Sequence, residues 1–332
     1  MSVLSGLKSA AKASAAGSAR LPPLPTIGEI LRMYRLKALK HLSQNFLLDT
    51  KLTNKVVKAA GAVENCSVLE VGPGPGCLTR SILNAGIRDL TLVEKDIRFI
   101  PALQQLQEAS SIPVSIRQGD ILKYPLQDIF PEDSVRDWMD DQLPPIHVMA
   151  NLPFNISTPL IIRWLEDIST HSGLFRYGRV RMTLMFQHEV AQRMIATSGD
   201  LERSRLSVMI QNYCNVQYCF PIKGSSFIPK PEVSAGVVHL WPLKEPVMKL
   251  PFKLTEKVVR NTFTHKRKKI LKAIELLFPA SHKHLGAEML QRSGIDPEVR
   301  AHLMGLDEFD ALCRAYDSIC DAYPIMRSYQ FR

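Results

Sequence analysis

From residue 67 onward the chain alternates short apolar runs with longer stretches of helical periodicity. Ser67–Val71, Leu90–Glu94, Val114–Arg117 and Ile146–Ala150 are mostly apolar, as expected for strands covered on both faces of a parallel sheet, and the segments between them supply crossover helices. The runs Arg179–Phe186, Val216–Pro221 and Gly236–Trp241 extend the sheet. The last two flank a Gly/Ser/Pro-rich loop and are expected to pair as an antiparallel edge. Between Tyr124 and Pro145 the acids and prolines read as a long loop or insertion. Thr158 is the expected N-cap of a helix starting at Pro159. Past Trp241 the pattern changes. Pro242, Pro246 and Pro251 mark a linker, and the helical periods of Phe252–Phe263, Lys266–Phe278 and Phe309–Ala322 predict a small all-α unit.

Ahead of the sheet, the prolines of Leu21–Ile27 exclude regular helix, and Glu29 to Leu42 is a basic amphipathic stretch with apolar Ile30, Leu31, Tyr34 and Leu39. Ser43–Asp49 reads as a loop leading to a helix that ends near Gly61. Polar Gln44 and Asn45 beside Phe46, Leu47 and Leu48 point to a lid with a buried edge. Residues 1–28 contain Lys8, Lys12 and Arg20 and no acid. A basic, Ser-rich, acid-free leader has the composition of an organellar import signal; the simpler alternative is a disordered tail.

The formal charge of +10 favours an anionic partner, nucleic acid before a membrane surface. No run of about twenty apolar residues is present, so no membrane insertion is expected. The six cysteines match neither a zinc framework nor a redox pair, and no metal site is expected. His188, His282 and His284 lack ligand spacing and read as surface or structural residues, and Trp164 and Trp241 read as core.

Chemistry concentrates at the C-terminal ends of the strands. Glu70-Val71-Gly72-Pro73-Gly74-Pro75-Gly76 follows the first strand and opens a helix, a turn that lets a ligand approach backbone N–H groups. A dinucleotide fingerprint places its third glycine where this chain has Cys77, which favours S-adenosylmethionine over NAD. Glu94 ends the second strand, placed to accept from both ribose hydroxyls. Asp120 follows the third, placed to receive an adenine amine. A lone glycine turn is often only a tight connection, but two carboxylates at successive strand ends argue for a ligand. After the fourth strand comes Asn151-Leu152-Pro153-Phe154. An Asn oxygen and a neighbouring carbonyl can accept the two hydrogens of an exocyclic amine while the aromatic ring stacks on the base.

Gln44-Asn45-Phe46-Leu47, the Gly72 turn, Glu94, Gly119-Asp120, Asn151-Leu152-Pro153-Phe154 and Phe227-Ile228-Pro229-Lys230-Pro231-Glu232-Val233, in that order, resemble the ribosomal RNA adenine N6,N6-dimethyltransferase family. The resemblance spans residues 29–275 and implies a Rossmann-like class I methyltransferase sheet. It implies that Gln44, Asn45 and Leu47 close over S-adenosylmethionine, that Gly72 and Gly74 meet its methionine end, and that Glu94 with Lys95 and Asp120 with Ile121 hold ribose and adenine. Asn151, Leu152, Pro153 and Phe154 would hold the target base, with Asn151 also on the cofactor side and Phe227 as a second stacking face. Two departures stand out: relatives often carry Tyr in place of Phe154, and glycine where this chain has Leu42-Ser43. The leader resembles that of mitochondrial members. The expected organisation is therefore an extension at 1–28, a methyltransferase domain at 29–243 and a helical RNA-binding domain at 244–332, acting as a monomer in the mitochondrial matrix. Its expected substrate is the 3′-terminal hairpin of small-subunit rRNA, with the ribosomal small subunit as partner. The competing reading is a non-catalytic accessory of the mitochondrial transcription machinery that keeps the fold as a binding module.

Overall fold

The structure is a computed structural model that describes residues 21–39 and 42–331, so most of the expected leader lies outside the described residues. Helix α1 (Ile27–Met33) starts where the prolines end. Thr26 and Glu29 form a reciprocal capping box, with the Thr26 N–H donating to Glu29 at 2.7 Å. Ile27 and Ile30 are buried, and Leu24, Leu31 and Leu36 pack against the buried cluster that contains Phe46, Leu47 and Phe99. Arg35 turns the chain at φ 51°, so only the first part of the basic stretch is helical. Strand β1 (Phe46–Leu47) and helix α2 (Thr50–Ala59) follow; the Asp49 carboxylate caps α2 by accepting from the Lys51 N–H at 2.8 Å.

The main unit runs β2 (Ser67–Val71), α3 (Cys77–Leu83), β3 (Asp89–Glu94), α4 (Ile100–Ala109), β4 (Val114–Gln118), β5 (Ile146–Asn151), α5 (Phe154–Ser169) and β6 (Arg181–Gln187). It continues with α6 (His188–Ile195), α7 (Arg205–Tyr213), β7 (Cys214–Ile222), β8 (Phe227–Ile228) and β9 (Ala235–Pro242). The seven-stranded sheet has the order β4-β3-β2-β5-β6-β9-β7. Strands β2 to β6 are parallel, and β9 runs antiparallel between β6 and β7, so the last two long strands do pair antiparallel at that edge. Chain direction along the sheet reverses between β2 and β5, and a crevice opens there at the strand C-termini. Separately, β1 and β8 pair antiparallel, Leu47 opposite Phe227 and Phe46 opposite Ile228.

Helix α5 begins at Phe154 rather than at Pro159, which lies inside it. The proline removes one early N–H bond. That loss is outweighed by the buried stripe Leu160, Ile161, Trp164, Leu165 and Ile168.

The C-terminal helices are α8 (Phe252–Thr262), α9 (Ile270–Ile274), α10 (His284–Ser293), α11 (Leu306–Ala322) and α12 (Ile325–Ser328). The period predicted over Lys266–Phe278 shrinks to α9 and one 3-10 turn, because residues 264–269 form turns. The four consecutive cations Lys266–Lys269 would repel on a regular helix, whereas turns splay them into solvent. Helix α10 has no counterpart among the predicted elements. One continuous cluster of buried side chains runs from Val148 and Leu160 through Val258 to Leu312 and Tyr316. Arg203, 2% exposed, links these layers through Nε to the Met304 carbonyl at 3.1 Å and Nη1 to the Ala196 carbonyl at 2.9 Å.

Candidate active site

A cleft opens at the switch between β2 and β5, at the C-terminal ends of the strands. The turn after β2 forms one wall. Gly72, Gly74 and Gly76 have φ of 63°, 55° and 89°, a left-handed region that L side chains rarely adopt. At Gly76 a Cβ would also lie 2.4 Å from Leu106 Cδ1. The Gly72 N–H donates to the Val93 carbonyl at 2.9 Å, which ties the turn to β3.

Glu94 forms the floor. Its Oε2 accepts from the Gly74 N–H at 2.9 Å and its Oε1 from the Asp96 N–H at 2.7 Å. Burial pushes this carboxyl up, against those two hydrogen bonds. Asp96 in turn accepts from Gln44 Nε2 at 2.8 Å and from the Arg98 guanidinium at 2.6 Å, and Gln44 Oε1 accepts from the Leu39 N–H at 2.9 Å. Gln44 thus latches the lid segment to the carboxylate floor while also lining the cleft. Asn45, Phe46 and Leu47 line it as well, and Phe46 meets Phe99 edge to face, 5.4 Å between centroids.

Asn151 closes the other side at the end of β5. Its Nδ2 donates to the Asn45 carbonyl at 3.1 Å, which fixes the amide and leaves Oδ1 with no protein donor among the described residues. Leu152, Pro153, Phe154 and Phe227 complete that wall; Leu152 and Phe227 are buried and Phe154 is half-buried. The structure thus brings together Gln44, Asn45, Leu47, Gly72, Gly74, Glu94, Asn151, Leu152, Pro153, Phe154 and Phe227.

Lys95, Asp120 and Ile121 do not line this cleft. Lys95 Nζ lies 2.9 Å from Asp120 Oδ2, and this bond holds the Asp120 carboxyl below the usual carboxylate range. Ile121 is buried. Arg163 of α5 donates from Nη1 to the Ile121 carbonyl at 3.2 Å and to the Leu122 carbonyl, clamping the loop after β4 to the helix that carries Phe154. Periodicity gave no sign of Arg163, because the contact joins segments 41 residues apart.

Glu70 and Met185 are further lining residues not anticipated above. Glu70 is 1% exposed in the middle of β2, and its Oε2 has no hydrogen-bond partner. Burial, reinforced by the Glu94 charge, pushes its carboxyl up to about 8 although a contact to Thr79 opposes the shift. A charged residue inside an otherwise apolar strand was the available signal.

Residues 35–313 match the family described as ribosomal RNA adenine dimethylase. The chain belongs to the ribosomal RNA adenine dimethylase family. It is 51% identical over 314 residues to dimethyladenosine transferase 1, mitochondrial, of Xenopus tropicalis, covering 94% of this chain and 90% of that protein. The Homo sapiens protein of the same name is 50% identical with the same coverage, and the Caenorhabditis elegans one is 41% identical over 321 residues, with 95% and 88% covered. In fold, the chain is similar to a dimethyladenosine transferase from Plasmodium falciparum, with TM-score 0.62 and 24% identity over 86% of this chain and 98% of that one. The 23S rRNA methyltransferase ErmE aligns at TM-score 0.56 and 21% identity, with 82% and 100% covered.

This rRNA adenine dimethylase is an enzyme whose family cofactor is S-adenosylmethionine. The residues present fit that cofactor. Gly72 of the left-handed turn has open space where a side chain would stand, Glu94 is braced from both sides, and the orphaned Glu70 oxygen lies in the same cleft, where a donor on the ligand would satisfy it.

Proposed function

We propose that the enzyme transfers methyl groups to N6 of two adjacent adenines in the 3′-terminal hairpin of mitochondrial small-subunit rRNA, in the matrix, in support of ribosome assembly. The observation that carries this reading is the Asn151 amide: its orientation is fixed by Asn45, and its acceptor oxygen has no protein donor among the described residues, in the cleft that the glycine turn and Phe154 also line.

When bound, S-adenosylmethionine supplies an electrophilic methyl group. Gly72 and Gly74 would hold its methionine end and Glu94 its ribose, while its adenine would extend past the cleft to Lys95, Asp120 and Ile121 at the ends of β3 and β4. Gln44, Asn45 and Leu47 close the lid. On the RNA side, Phe154 stacks on an extruded adenine and Phe227 backs it. Adenine N6 is a poor nucleophile because its lone pair is delocalised into the ring. Asn151 Oδ1 and the Leu152 or Pro153 carbonyl accept its two hydrogens, drawing the nitrogen toward tetrahedral geometry and freeing the lone pair. No strong base is required, since the product ammonium loses its proton to solvent. Such positioning and dipole alignment contribute on the order of several kcal/mol.

Residues 29–243 form the catalytic unit in this reading and residues 244–332 the RNA-binding one. In the latter, the exposed Arg267 and Lys268 have no acidic partner among the described residues, whereas Lys269 pairs with Glu298 and Lys266 donates to the Leu201 carbonyl. The test is Asn151→Ala with labelled S-adenosylmethionine and the rRNA hairpin, the modified base being identified by mass spectrometry. Methyl transfer is expected to vanish while cofactor affinity stays within a few-fold. Normal turnover, or a wild-type product on cytosine or ribose, overturns the reading.

A further inference from the structure

Strand β6 reaches both ends of the sheet. Met185 near its C-terminus lines the catalytic cleft, while Arg181, four residues or roughly 13 Å earlier, faces a separate depression at the N-terminal ends of the strands. That depression is lined by Arg181 with Gln217, His239, Trp241 and Leu143, together with the end of α2. It shares no residue with the cleft. Trp241, read from sequence as core, is in fact partly exposed here.

Arg181 is the unusual member. It forms no ion pair among the described residues; its side-chain hydrogen bond is Nη2 to Cys66 Sγ at 3.7 Å, and its Nε is buried with no acceptor. A guanidinium prefers a planar oxyanion that takes two parallel N–H bonds, and a sulfur atom is a weak substitute. Behind it, a buried chain fixes the wall: His147 Nε2 lies 2.9 Å from Thr183 Oγ1, which lies 2.9 Å from His239 Nδ1. Burial, aided by the Arg181 charge, holds His147 and His239 neutral, with His239 lowered to about 4, so Arg181 is the only charge in the lining. No acid lines the depression, and the Trp241 ring stands 5.3 Å from His239.

We propose that this depression is a second, non-catalytic RNA contact that seats a ribonucleotide's phosphate on Arg181 and its base against Trp241. Stacking on an indole tolerates any base, and one guanidinium neutralises one phosphate, so the contact adds grip without sequence preference. It rests on the reading that RNA is the substrate, and it places RNA on the sheet edge opposite the cleft. A polynucleotide holding both ends would be anchored across the molecule.

The test uses the full chain and a ten-nucleotide uridine oligoribonucleotide carrying one 4-thiouridine. Photocrosslinks are mapped by mass spectrometry, and affinity is followed from 50 to 300 mM KCl. A crosslink within β9 at Trp241 is expected. It should be lost in Gln217→Glu, which puts a carboxylate on the exposed rim without touching the core, and in Arg181→Gln. Both variants should bind at least 5-fold more weakly, with the logarithmic salt slope smaller by about 0.7. Trp241→Leu should weaken binding about 10-fold. Wild-type binding in all three variants, or crosslinks confined to the cleft and residues 264–269, overturns the proposal. Protection of the crosslink by inorganic phosphate as effective as that by uridine monophosphate overturns the stacking half and leaves a simple phosphate site. Methylation of the hairpin is measured in parallel. Intact methylation with unaltered oligonucleotide binding refutes only this contact, whereas no RNA binding by the wild type refutes the substrate reading itself.

Discussion

Replacing Glu70 with glutamine separates its protonation from every other feature of the cleft. The carboxyl titrates near 4.5 in the unfolded chain and at about 8 in the fold, because burial in β2 removes it from water. Below pH 4.5 both states carry the proton, and the fold has its full stability. As pH rises toward 8 the unfolded chain ionises while the native carboxyl stays neutral, so stability falls, then levels off once the native group also ionises. At about 1.4 kcal/mol per pH unit the whole window corresponds to about 5 kcal/mol, with about 3 kcal/mol of it reached by pH 7. Glutamine has the same shape and no charge to desolvate. Its unfolding free energy minus that of the wild type should therefore grow between pH 5 and 8 with a slope approaching 1.4 kcal/mol per unit. Any packing or hydrogen-bond defect of the amide adds a constant and leaves the slope intact. Urea denaturation followed by circular dichroism at four pH values, without cofactor, measures it. Parallel stability profiles for the two proteins would refute the buried neutral carboxyl.

Arg163→Met should weaken cofactor affinity roughly 10-fold, about 1.4 kcal/mol, the order of one charge-assisted hydrogen bond, because the loop bearing Asp120 and Ile121 loses its clamp. The kcat at saturating cofactor should change far less, and steady-state kinetics with varied S-adenosylmethionine separate the two. Gly76→Ala forces a side chain into φ 89° against Leu106 and should lower stability by about 3 kcal/mol, read as a denaturation midpoint shift. Phe154→Tyr should retain methylation, since stacking is kept, whereas Phe154→Leu should raise the KM for RNA about 10-fold in a methyl-transfer assay. Reversing Arg267 and Lys268 to glutamate should weaken RNA binding and flatten its salt dependence, measured by titration over a range of KCl.

The parallel strands were legible because each is a short apolar run bounded by turn residues, and the glycine turn because three glycines stand where the backbone goes left-handed. Asn151 and Glu94 were legible for a related reason: polar groups ending apolar strands fall at the crevice by topology. Other features depend on contacts distant in sequence. The start of α5 at Phe154 overrides Pro159 through tertiary burial, and α10 lies in a segment whose polar interruptions blur its period. The latch from Gln44 to Asp96 spans 52 residues and the Arg163 clamp 41, distances at which no local pattern carries information. Lys95 and Asp120 were placed correctly at strand ends, yet they pair with each other outside the main cleft.

The two-residue ladder between β1 and β8 sets Leu47 of the lid directly opposite Phe227 of the base wall. Under the proposed roles, the cover of one substrate and the backing of the other are a single mechanical part. Two methylations of one adenine require spent cofactor to leave between them, and opening the lid loosens the wall behind the base. The reaction should therefore be distributive: the singly methylated adenine is released to solution and must be captured again before the second transfer.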